Sequence, residues 1–97
     1  HLSTSARLSQ SLAEEWRLCQ QYLAIEQARL DERLRVEVNL QPACLSHALP
    51  CLALLGLIEN AIKHGIAPDP RGGTLVITAA EVEGSERWEL RVGNSVA

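Results

Sequence analysis

Phenylalanine is absent from this 97-residue chain, and Trp16, Tyr22 and Trp88 are its only aromatic residues. Any core must therefore be built from aliphatic side chains, and 46% hydrophobic residues suffice for one small domain and no more. There is no basic excess either. A formal net charge of −3 argues against nucleic acid, which selects a strongly basic face. No apolar run approaches the roughly 20 residues that span a bilayer, and no signal-peptide pattern is legible, so the chain reads as soluble. Cysteine is scarce and odd in number. Cys19, Cys44 and Cys51 cannot all pair within one chain and contain no CxxC, which fits a reducing compartment. Cys44, His47 and Cys51, with His64, offer four zinc ligands. Their spacing matches no common zinc pairing and Pro50 interrupts it, so buried thiols are the preferred reading. Internal repeats and low-complexity segments are lacking.

Periodicity supplies the elements. Residues 1 to 10 are small and polar without a clear period, as in the frayed end of a longer helix. Ser11 and Glu14 have the spacing of a capping box. After it Leu12, Trp16, Cys19, Leu23 and Leu30 recur at helical intervals, predicting a helix from about residue 12 to 29. Glu14, Glu15, Arg17, Gln20, Gln21, Gln27 and Arg29 are assigned to its wetter sides. Leu18, Tyr22 and Ile25 widen the apolar stripe, which implies contacts on two sides. Residues 33 to 40 alternate as a half-buried strand. A helix is expected over 50–64, with Pro50 in its first turn and Gly65 as its left-handed terminator. It is apolar nearly all round until Glu59, so burial on most sides is expected. Residues 66 to 73 read as a loop. Strands over 74–82 and 87–92 form a hairpin through Glu83-Gly84-Ser85-Glu86. The order helix, strand, helix, hairpin predicts an α+β fold, a two-layer α/β sandwich with a mixed or antiparallel sheet.

The segment "IENAIKHG" carries the chemistry. At 100° per residue Asn60 and His64 stack, as do Glu59 and Lys63, and all four fall within roughly 140° of arc. A carboxylate, an amide, an ammonium and an imidazole side by side suit a divalent cation with its phosphates, and an amide oxygen is a hard ligand fit for Mg²⁺. The blander reading is an exposed Glu–Lys pair and a His at a helix C-terminus, both common stabilising features. The cluster abuts an apolar segment, and that context favours a site.

Pro50 to Gly65, "PCLALLGLIENAIKHG", resembles the N-box helix of the GHKL ATPase superfamily, in the form found in LytS-type sensor histidine kinases. "LAEEWRLCQQYLAIEQARLDERLRVEVNL", residues 12 to 40, resembles the linker helix and first strand that precede this box, especially in AlgZ-like members. "LRVGNS" resembles the strand leading into the adenine-binding G1 box. The resemblance implies residues 1–30 as an N-terminal linker helix and 31–97 as a partial GHKL (Bergerat-type) ATP-binding domain, truncated. It implies Asn60 as the Mg²⁺ ligand bridging to ATP, Lys63 and His64 near the phosphates or ribose, and Glu59 at the acidic, catalytic position. Asn94 falls where an aspartate usually accepts from the adenine amino group. Ser95, Val96 and Ala97 depart from the glycines of that loop. The lid, the later glycine-rich box and the phosphoacceptor segment have no counterpart, and His1 is not proposed as the acceptor.

The function implied is part of the catalytic domain of a two-component sensor histidine kinase. Such a kinase uses Mg·ATP to phosphorylate a histidine and passes the phosphate to a response regulator. The implied setting is dimeric, bacterial and cytoplasmic, in an inner-membrane protein anchored through segments outside this stretch. Two alternatives stay open: a degenerate GHKL-like dimerisation or partner-binding module without ATP turnover, and a hydrolytic GHKL ATPase with Glu59 as its base.

Overall fold

A computed structural model describes residues 8–96 of the chain. His1 and its neighbours, together with Ala97, lie outside the described residues. The elements run β1 (Ser9–Ser11), α1 (Leu12–Leu30), β2 (Leu34–Leu40), β3 (Ala48–Pro50), α2 (Ala53–Ala61), a π-helical turn (Ile62–Ile66), β4 (Gly73–Glu81) and β5 (Trp88–Val96). β2, β4 and β5 form one sheet in that order. β2 is parallel to β4, with Leu34 opposite Gly73, and β4 is antiparallel to β5, with Ile77 opposite Val92. This is an α+β fold with a mixed sheet.

α1 starts where the capping box places it. The Ser11 hydroxyl accepts the Glu14 N–H at 3.1 Å, and the Glu14 carboxylate accepts the Ser11 N–H at 3.0 Å. Its stripe of Leu12, Cys19, Leu23 and Leu30 is buried. Ile58, Ile62 and Ile66 follow at intervals of four along α2 and the π turn, and all three are buried in one cluster with Leu54, Leu75, Ile77 and Ala79. Full burial of such a side chain is worth about 1.5–3 kcal/mol, so this cluster is what presses α2 onto the sheet.

Four expectations are corrected. First, the helix does not begin at Pro50. That proline belongs to β3, which pairs antiparallel with β1, Pro50 opposite Ser9. A two-stranded ribbon tolerates proline, which has no N–H to donate. At Ser9 and Gln10 the same ribbon stands where a frayed helix end was expected, and the rest of that expectation, over residues 1–7, lies outside the described residues. Second, Gly65 is not a left-handed terminator. The chain instead widens, with the Ala67 N–H bonding to the Ile62 carbonyl at 2.8 Å, and the positive-φ glycines among the described residues are Gly72 and Gly84. Third, α2 is not covered on most sides, because Leu57 is 48% exposed. Fourth, Glu15 is not on a wet side of α1 but fully buried.

The loop between the π turn and β4 is pinned from below. The Arg33 guanidinium donates to the carbonyls of Ala67 and Asp69, the latter at 3.1 Å. Gly72 has φ of 72°, and a Cβ there would lie 1.9 Å from the Arg33 carbonyl oxygen. Only glycine fits this close approach.

Candidate functional site

The polar end of α2 lies where three elements meet: the π turn, the end of β5 and the middle of α1. Glu59 and Asn60 are in the last turn of α2, and Lys63 and His64 are in the π turn. All four are exposed. The α-helical arc drawn from sequence therefore holds only to Ala61. Beyond it the wider π turn carries Lys63 and His64, and such turns recur at functional sites.

The structure divides the predicted set. Glu59 and Lys63 line a groove of about 580 Å³ between α2 and α1, together with Tyr22, Glu26, Arg29, Ile62 and Ala67. Asn60 and His64 do not line it. Asn94, from β5, lies against the π turn: a Cβ on Gly65 would stand 2.6 Å from the Asn94 Nδ2 and 2.9 Å from its Oδ1. The glycine thus lets the strand's amide close on the helix end. Among the described residues, the side chains of Glu59, Asn60, Lys63, His64 and Asn94 make no hydrogen bond or ion pair. Some exposed charges elsewhere are paired, as in Arg71 with Asp69 and Arg91 with Glu89. The donors and acceptors at this helix end are open to a ligand.

Electrostatics follow the groove. Glu26 and Arg29 form an ion pair, and the Glu26 bond holds the Arg29 guanidinium above its ordinary value. Burial, then the charges of Glu26 and Glu59, push the Tyr22 phenol up. The Cys19 thiol behind them is pushed up to about 12, chiefly by burial and then by Glu15 and Glu59, so it is an inert thiol. His47, from the Cys/His spacing, is engaged elsewhere, with its Nε2 3.2 Å from Glu81 and its ring stacked on Trp88.

Sequence reasoning missed three features here. Tyr22, Glu26 and Arg29 belong to the groove, and their spacing of four and three did put them on one helical face. Glu15 belongs to the buried stripe, which its spacing from Leu12 and Cys19 could have revealed. The role of Gly65 left no local signal, because its partner is 29 positions away in sequence.

No family model matches the chain. Individual relatives do match. The sensor histidine kinase YpdA of Escherichia coli K12 is 37% identical over 70 residues, 72% of this chain and 12% of that protein. The sensor protein LytS of Staphylococcus saprophyticus is 30% identical over 73 residues, 75% of this chain and 12% of LytS. The sensor histidine kinase BtsS of E. coli K12 is 36% identical over 69 residues, 71% of this chain and 12% of BtsS. The chain is thus related to the sensor histidine kinases. Within them it is kin to one segment of the LytS type, and it spans about 12% of the length of these curated relatives. No helix among the described residues is long and apolar enough to cross a membrane.

Proposed function

We propose that this chain is part of the ATP-binding domain, GHKL in type, of a two-component sensor histidine kinase, with α2 and its π turn as the N-box. The observation that carries the reading is the junction at Gly65. It brings Asn94 of β5 against the helix end that bears Asn60 and His64, with five polar side chains whose bonding capacity is unspent. An amide oxygen on an exposed helix end suits Mg²⁺, which takes few protein ligands and keeps phosphates and water, and an imidazole beside it can donate to those phosphates. Asn60 would hold the metal. Lys63 and His64 would donate to phosphate oxygens, and Asn94 would accept from the adenine amino group. Mg·ATP would supply the phosphoryl group, and catalysis of such a transfer is mostly positioning and charge neutralisation. Glu59, facing the groove with Lys63, would orient water or neighbouring groups rather than act as a base, since a neutral imidazole acceptor is already nucleophilic. In this reading the whole protein is a membrane-anchored kinase that pairs as a homodimer and serves a response regulator.

Calorimetric titration of the full-length protein with a non-hydrolysable ATP analogue and Mg²⁺ tests the assignment. Asn60→Ala and Asn60→Asp are expected to abolish metal-dependent binding while far-UV circular dichroism stays unchanged. Wild-type affinity in Asn60→Ala would sink it.

A further inference from the structure

α2 begins without a cap of its own. The residue before it, Leu52, has a left-handed backbone with φ of 69° and no side-chain acceptor to offer. That backbone is disfavoured for any side chain with a Cβ, and the first N–H groups of a helix need partners from outside it.

Those partners come from α1. The Glu15 Oε1 accepts the Leu52 N–H at 2.9 Å, and its Oε2 accepts the Leu55 N–H at 3.1 Å. The Gln10 amide donates to the same Oε1. In the first turn of α1, the Leu12 N–H bonds the His47 carbonyl at 2.9 Å and the Ala13 N–H the Leu45 carbonyl at 3.0 Å. α2 therefore starts on a carboxylate of α1, and α1 on carbonyls of the connector between β2 and β3. A carboxylate at a helix N-terminus is also favoured by the helix dipole.

We propose that Glu15 is a positioning residue: held rigidly in α1, it sets where α2 sits along that helix, and hence where Asn60 and His64 stand. Three features favour transmission along α2. The helix is short, nine residues before the π turn. Leu54, Ile58 and Ile62 lock its inner face to the sheet, so it moves as one body. The Cys19 thiol, one turn of α1 beyond Glu15, feels both Glu15 and Glu59, so the cap and the polar end flank the same buried group. The nucleotide part of this inference rests on the function proposed above.

The test uses Glu15→Ala and Glu15→Gln in the full-length protein, at a temperature where both remain folded. Amide hydrogen exchange and titration with the Mg·ATP analogue are the readouts. Glu15→Ala is expected to speed exchange about tenfold at Leu52 and Leu55 and also across Ile62–Ile66, and to weaken analogue binding about fivefold. Glu15→Gln keeps one carbonyl acceptor and should fall between, which preserves the test if the alanine variant does not fold. Faster exchange confined to the first turn of α2, with Ile62–Ile66 and affinity as in wild type, would reduce Glu15 to a local cap and overturn the proposal. If the wild-type protein does not bind the analogue, the nucleotide reading fails by itself, and exchange across Ile62–Ile66 still decides the positioning role.

Discussion

Gly65 and Gly72 both forbid a side chain, for different reasons and with different consequences. At Gly72 the obstacle is the Arg33 backbone, 1.9 Å from a Cβ, and the φ of 72° adds strain. Gly72→Ala should therefore destabilise the chain by more than about 1 kcal/mol, read as a lower urea midpoint. At Gly65 the obstacle is the amide end of Asn94, which can swing aside. Gly65→Ala should leave the midpoint within about 0.5 kcal/mol of wild type yet weaken the ATP analogue, because the amide no longer lies against the helix end; a large loss of stability with normal binding would contradict this. Glu14 shows a charge effect at the same scale. Its bonds from the Ser11 backbone and hydroxyl hold the carboxyl below its ordinary 4.5. A lowered folded pKa stabilises the fold above the unfolded value, and the effect fades as pH falls through the folded one. Glu14→Gln should thus have a lower urea midpoint than wild type at about pH 7, with the gap closing as the carboxylate is protonated in acid.

At the scale of elements, what could be read from sequence was whatever is half-buried. α1, β2, β4 and β5 each show one dry and one wet side, so their periods of 3.6 and 2 survive in the residue order. β2 was expected over 33–40 and spans Leu34–Leu40; the hairpin partner was expected to stop at 92 but continues to Val96. α2 was legible as a helix but not where it starts, because its first N–H groups depend on Glu15, 37 residues back in sequence. The ribbon of β1 and β3 is three residues a side, too short for any period to show. The candidate site divides the same way. Glu59, Asn60, Lys63 and His64 stood out as polar residues ending an apolar run, whereas their separation into groove and outer face depends on where α1 lies. The second stripe on α1 resolves into partly buried Leu18 and Tyr22 and an Ile25 that is 66% exposed. If that stripe pairs two copies, Ile25→Glu should shift sedimentation from dimer to monomer at micromolar concentration. A wild-type chain that sediments as a monomer at high concentration would end the idea.

At the scale of the whole molecule, the parallel register of β2 with β4 has a consequence in time. Leu34 finds its partner Gly73 about 40 residues later in the chain, which at about 5–20 residues per second is a wait of about 2–8 s during synthesis. Through that interval β2 has α1 beside it but no strand to pair with. When β4 emerges, β2 is already waiting, and β5 is still to be made. A chain diluted out of denaturant meets the opposite situation. There β4 and β5 are neighbours joined by a short turn, and hairpins close within about 1–10 μs, whereas β2 must first close the long crossover that contains α2. The ribosome and the test tube therefore assemble this one sheet in reverse order, and the species each must protect from aggregation differs: a lone β2 in the first case, a hairpin with one open edge in the second.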